Sequence, residues 1–120
     1  MRISLRTMAT LLPITVLIAG CHSYHIEATV ENHTGGAIKL LEVDYPSASF
    51  GADSLAKDAT FHYRFQTRDR GPVSVQYTAT NGQLVKVTGP TLYEKEEGQL
   101  EIVLLPSGKA EFHLDLNRQR

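Results

Sequence analysis

A two-residue rhythm runs through the chain from Tyr24 onward, and it narrows the possible folds more than any other feature. Phe61, Tyr63 and Phe65 alternate with His62, Arg64 and Gln66. On an extended backbone successive side chains fall on opposite faces, so one face of this segment is wholly aromatic. Between Tyr24 and Glu31 the same rhythm sets Ile26, Ala28 and Val30 on one side. Val73, Val75, Tyr77 and Ala79 alternate with Ser74, Gln76, Thr78 and Thr80, and Phe112, Leu114 and Leu116 alternate with Glu111, His113 and Asp115. No segment sustains a helical repeat over about ten residues. In Ala37 to Tyr45, Leu41, Val43 and Tyr45 share a phase that Ile38 and Leu40 break, which predicts a bulge near Leu40 or burial on both sides.

Turn chemistry punctuates these runs. Asn32-His33-Thr34-Gly35-Gly36 combines residues that bond locally to the backbone with residues that accept positive φ, and it reads as a turn although Asn32-His33-Thr34 also matches a glycosylation sequon. Asn81-Gly82 favours a two-residue type I′ hairpin that makes Gln83 to Thr88 the antiparallel partner of the preceding strand. Pro106-Ser107-Gly108-Lys109 joins Leu100–Leu105 to Ala110–Leu116. These signals predict an all-β fold, an antiparallel seven-stranded β-sandwich of immunoglobulin-like or transthyretin-like type over residues 24–117, with 118–120 as a tail. A small β-barrel is the alternative. Tryptophan is absent and cysteine occurs once, so the marks of antibody domains are missing. Two connections exceed hairpin length, Pro46 to Asp58 and Gly89 to Gly98. Long loops on a rigid sandwich often carry binding residues, but the first is read mainly as a crossing between sheets in which Phe50 and Leu55 plug the core.

The single cysteine, Cys21, follows the apolar run Val16-Leu17-Ile18-Ala19-Gly20. Arg2 and Arg6, the apolar stretch from Met8 to Gly20 and the small residues at its end make the three-part layout of a secretory signal. The run is too short to span a bilayer and contains Pro13. Ile18-Ala19-Gly20-Cys21 resembles the lipobox of bacterial lipoproteins. That resemblance implies a cleaved signal at 1–20, a lipidated Cys21, a short tether at 21–23 and residence on the bacterial cell envelope. His22 in place of Asp favours the outer membrane facing the periplasm, in a host that has one. The competing reading, an ordinary cleaved signal, would leave an unpaired thiol in an oxidising compartment. The segments Glu42 to Gly51, Phe61 to Phe65 and Thr88 to Leu92 further resemble small uncharacterised bacterial lipoproteins of sandwich fold, a resemblance that brings no activity with it.

Residues that could carry chemistry are sparse. Of 12 basic residues two lie in the leader, leaving ten against 13 acidic, with no basic run to meet nucleic acid. Glu94, Glu96 and Glu97 read as a solvated turn, and no Gly-x-Ser-x-Gly elbow is present. The histidines His22, His25, His33, His62 and His113 lack metal-ligand spacing, and no metal or other cofactor is expected. Asp44, Asp53 and Asp58 could meet at a sandwich end around calcium, but they form no calcium loop. Tyr45, Phe50 and Tyr93 complete the candidate ligand or partner contacts. The expectation is a non-enzymatic interaction or structural module at the membrane surface, anchored through Cys21 and meeting an envelope protein. The alternative is a periplasmic small-ligand or metal-binding domain using the 46–58 loop or the outward histidines.

Overall fold

The computed structural model describes residues 23–118, so the leader and Cys21 lie outside the described residues. Eight strands follow in order: β1 (Ile26–Asn32), β2 (Ile38–Tyr45), β3 (Ala48–Leu55), β4 (Thr60–Phe65), β5 (Gly71–Thr78), β6 (Leu84–Leu92), β7 (Glu96–Leu105) and β8 (Lys109–Arg118). A single 3-10 turn, Pro106–Gly108, links the last two. The strands form two four-stranded sheets, ordered β4-β1-β7-β8 and β3-β2-β5-β6. Each sheet ends in two edge strands, so the molecule is an open sandwich and not a closed barrel. Among the described residues no helix is long and apolar enough to cross a membrane.

The structure corrects the sequence reading at several points, and of the expected long connection Gly89 to Gly98 only 93–95 lies outside strands, because β6 runs to Leu92 and β7 starts at Glu96. The strand count is eight, because Ala48–Leu55, expected as a loop, pairs with β2 from Tyr45↔Ala48 to Ile38↔Leu55. Its turn is only Pro46-Ser47, where Ser47 adopts a left-handed backbone (φ 81). The crossing between sheets is confined to 56–59, and Phe50 and Leu55 are buried as expected of core plugs. The pairing is also not wholly antiparallel: β1 runs parallel to β7, from Ile26↔Gly98 to Asn32↔Leu104. The chain crosses between sheets after β1, β3, β4 and β6, and those crossings bring β7 back beside β1 in the same direction.

The core lies between the sheets. Ile26, Val30, Ile102 and Leu104 from one and Ile38, Val43, Val73 and Val75 from the other are fully buried, each contributing about 1.5–3 kcal/mol of hydrophobic stabilisation. The bulge expected near Leu40 is present. Leu40 has φ 53 and is 65% exposed, and the β2–β5 register shifts between Lys39 and Glu42. That extra residue lets both Ile38 and Leu41 face inward. The aromatic face of β4 is less central than its pattern predicts, because β4 is an edge: Phe65 is buried but Tyr63 remains 42% exposed.

The Asn81-Gly82 signal marks the right hairpin and a different turn. The Ala79 N–H donates to the Gln83 carbonyl at 2.8 Å, and the Gly82 N–H donates to the Ala79 carbonyl at 2.8 Å. Gly82 has φ 87 while Asn81 stays at negative φ. This is a three-residue loop with its glycine in the left-handed position, not a two-residue type I′ turn. The Asn81 side chain instead accepts the Gln83 N–H at 2.9 Å.

At the end of the sandwich where β1 finishes, Asn32 is fully buried and acts as a clasp. Its Nδ2 donates to the carbonyls of Gly36, Leu55 and Ala56 at 2.8, 3.0 and 3.1 Å. Its Oδ1 accepts the Thr34 N–H at 3.0 Å and the Thr34 hydroxyl at 2.7 Å. One side chain thus ties β1 to both ends of the β2–β3 hairpin. Glycosylation here would require exposing an amide nitrogen that already donates into the fold.

Candidate functional site

Four of the predicted contact residues, Asp44, Tyr45, Phe50 and Asp53, converge on one structural unit, the β2–β3 hairpin at the edge of the second sheet. Alternation divides them between its faces. Tyr45 and Phe50 point into the sandwich, where the Tyr45 ring lies 4.1 Å from that of Phe65 and the Phe50 ring 4.3 Å from that of Tyr63. Burial pushes the Tyr45 hydroxyl pKa up, and the Tyr63 hydroxyl adds to the rise. The aromatic seam therefore fastens the two sheets along the β3–β4 side and leaves part of Tyr63 open to solvent.

Asp44 lies on the outer face beside Glu42, two residues earlier on β2. The hydrogen bond with Asp44, and then the charge of Asp44, hold the Glu42 carboxyl above its usual range, with Lys86 opposing. Asp53 is exposed on β3 opposite the bulged Leu40. Between these carboxylates lies a shallow hollow of about 590 Å³ along Leu40, Glu42, Gly51 and Asp53. Gly51 makes the hollow possible, because a Cβ there would collide with the Leu41 carbonyl oxygen at the bulge.

The other two candidates lie elsewhere. Asp58, in the 56–59 crossing, sits near His33 with Oδ1 3.7 Å from Nδ1. Tyr93 lies in the turn before β7, its carbonyl accepting the Thr67 hydroxyl at 2.8 Å and its ring covered by Arg70 at 5.5 Å. Asp53 lies four residues along β3 from Ser49, the partner of Asp44, about 13 Å away, and Asp58 lies past the end of the hairpin, so the three do not meet around a common ion. Among the described residues no group of three or more His, Cys, Asp and Glu is placed to hold a metal. Cys21 lies outside the described residues.

A second feature was not legible from spacing. Across the outer face of the first sheet the register aligns His62, Thr29, Glu101 and His113 in one row. The two histidines occupy opposite edge strands, three strand spacings or about 14 Å apart, so they cannot share a ligand atom. They flank a shallow groove of about 580 Å³ whose floor carries Glu31 and Glu101. Glu101 is held above the usual carboxylate range by its hydrogen bond with Glu31 and then by that residue's charge. Glu31 is lowered by the same bond and by His33, whose Nε2 lies 3.1 Å from Oε1. Of the two, Glu101 therefore holds a proton more tightly than Glu31. The groove is open along its length, and nothing encloses a reacting group there.

No protein-family model matches the chain, and no curated protein matches it in sequence. Among solved structures it is similar to a protein from Eubacterium rectale determined by NMR, with a TM-score of 0.56 and 13% identity over 79% of this chain and 94% of that one. At that identity the likeness concerns the fold alone.

Proposed function

We propose that this chain is a lipid-anchored protein of the bacterial cell envelope, held by acylated Cys21, whose β-sandwich is a non-enzymatic interaction module at the membrane surface. The observation that carries the reading is Cys21 itself, the only cysteine, placed directly after an apolar leader that ends in small residues. The fold is compatible with it: the first strand starts at Ile26, so four residues separate the anchor from the body, a span of at most about 17 Å when fully extended. A partner must then come to the membrane surface or lie within it. A diacylglyceryl group plus an amide-linked chain exceeds the two signals that stable anchoring needs.

The interaction role is supported by an open sandwich with free edges and by a hairpin that gathers exposed carboxylates beside an exposed aromatic. Fractionation tests the anchor. Cys21→Ser should leave the sandwich folded and move the protein out of the membrane fraction, and a Ser variant that stays with membranes after a salt wash would sink the lipid-anchor reading.

A further inference from the structure

We infer that the free edge of β3 is a strand-addition site for an extended protein segment in which basic residues alternate with apolar ones. This inference rests on the interaction-module reading and specifies its surface and partner. The sandwich exposes four strand edges, β3, β4, β6 and β8, and three carry features that deter added strands. β6 contains Pro90, which has no N–H to offer. β8 alternates Lys109, Glu111, His113 and Asp115 along its outer face. β4 is six residues long and carries His62 and Arg64, the latter paired with Glu27 at 3.2 Å.

β3 differs in each respect. It is eight residues long, Ala48–Leu55, with no proline and no lysine or arginine, and Asp53 is its single charge. Small side chains at Ala48, Ser49, Gly51 and Ala52 leave its backbone accessible, and it pairs with β2 on one side only. An added strand would gain main-chain hydrogen bonds at this edge, while alternate side chains would set its specificity.

Both sets of side chains would find a complement. On the inner side the new strand continues past Phe50 and covers the exposed part of Tyr63, which calls for apolar residues. Outward positions come beside Asp53 and the hollow at Gly51, with Glu42 and Asp44 on the neighbouring strand. Three carboxylates, Glu42, Asp44 and Asp53, outnumber the one lysine of the same hairpin, Lys39 opposite Ser54, with Lys86 two strands away from β2, so the row keeps a net negative charge that calls for lysine or arginine.

The test uses the full lipidated chain in detergent and two synthetic octapeptides, one alternating Lys and Val and the other Glu and Val. The Lys-Val peptide should slow amide exchange along β3 and bind at least tenfold more tightly than the Glu-Val peptide. The triple variant Glu42→Gln, Asp44→Asn, Asp53→Asn should lose about tenfold in affinity, the sum of three exposed charge pairs. Ser49→Lys should weaken binding, and Lys109→Glu on β8 should not. Thermal midpoints of all variants establish that they fold. Protection on β4, β6 or β8 in place of β3, or equal binding of both peptides, overturns the inference.

A photo-crosslinking residue placed in cells at Ala48, Thr88 or Glu111 separates this inference from the reading beneath it. A discrete heterologous adduct from Ala48 supports strand addition. An adduct of twice the chain mass from Ala48 means self-pairing and overturns it. Adducts only from Thr88 or Glu111 overturn the β3 assignment and leave the interaction module standing, while no discrete adduct at any position overturns both.

Discussion

Phe50 on β3 and Tyr63 on β4 stack with ring centroids 4.3 Å apart and planes 17° apart, although their strands belong to different sheets. The contact closes the side of the sandwich where the chain itself crosses, and Phe50 also lies within 6.1 Å of the Tyr45 and Phe61 rings and 5.7 Å of Phe65. Phe50 is therefore the hub of the seam and Tyr63 its solvent-facing rim.

That asymmetry predicts unequal costs. Phe50→Ala should destabilise the fold by about 3–5 kcal/mol, the usual range for truncating a buried aromatic. Tyr63→Ala should cost about 1 kcal/mol, close to the value of one aromatic pair. Urea unfolding of the two variants gives the comparison. Equal losses would mean that the seam is closed to solvent and that β4 is not an open edge.

Asn32 supplies a sharper polar test. Its amide donates to three carbonyls and its oxygen accepts twice from Thr34, so Asn32→Ala strands several buried groups and should cost about 3 kcal/mol. Asn32→Asp replaces the donor with a charged acceptor facing the Leu55 and Ala56 carbonyls and should be worse at neutral pH. Acid should partly restore it, because a protonated Asp regains one donor. Denaturant midpoints for the Asp variant at pH 7 and pH 4 decide this, and a higher midpoint at pH 7 would contradict the amide orientation.

Much of the scaffold was legible in the sequence. Val73, Val75 and Tyr77 alternate cleanly because β5 lies inside its sheet with one face on the core, and the phase break at Ile38 and Leu40 announced a real bulge. β3 was not legible, since Ser49, Gly51, Asp53 and Ser54 have weak strand preference and only pairing with β2 makes the segment extended. The exposure of Tyr63 depends on which strands end a sheet, a property of topology and not of pattern. For the same reason the Asp44, Tyr45, Phe50 and Asp53 grouping could be guessed from neighbourhood along the chain, whereas Glu31 and Glu101 meet only because β1 and β7 run parallel.

Leu40 holds a left-handed backbone with a side chain that is 65% exposed. The residue thus bears a conformational cost of about 1–2 kcal/mol that leucine gains little burial to offset. Leu40→Asn, which tolerates that region, should raise stability by about 0.5–1 kcal/mol in urea unfolding. Gly51→Ala, on β3 opposite Glu42, should lower stability by about 1–3 kcal/mol, because the new methyl meets the Leu41 carbonyl. A neutral Gly51→Ala would show that the bulge can move aside.

The Glu31–Glu101 pair makes a prediction about pH. Glu101 binds its proton more tightly in the folded state, since Glu31 accepts its hydrogen bond and repels its anion. Its stabilising contribution is therefore complete below the unfolded carboxyl value and declines as pH rises through the folded one. Glu31 has the opposite sign: lowered by Glu101 and His33, it stabilises above the unfolded value and loses that contribution as pH falls through its folded value. Glu101→Gln keeps a donor toward Glu31 and removes the second charge. The variant should be at least as stable as the parent at pH 7 and should no longer lose stability as pH rises from the carboxylate range toward neutrality. Denaturant midpoints between pH 4 and pH 8 measure this, together with NMR titration of the side-chain carboxyls, in which Glu101 should titrate above Glu31. A midpoint for Glu101→Gln lower than the parent's at pH 7 would mean that the two carboxyls do not share a proton.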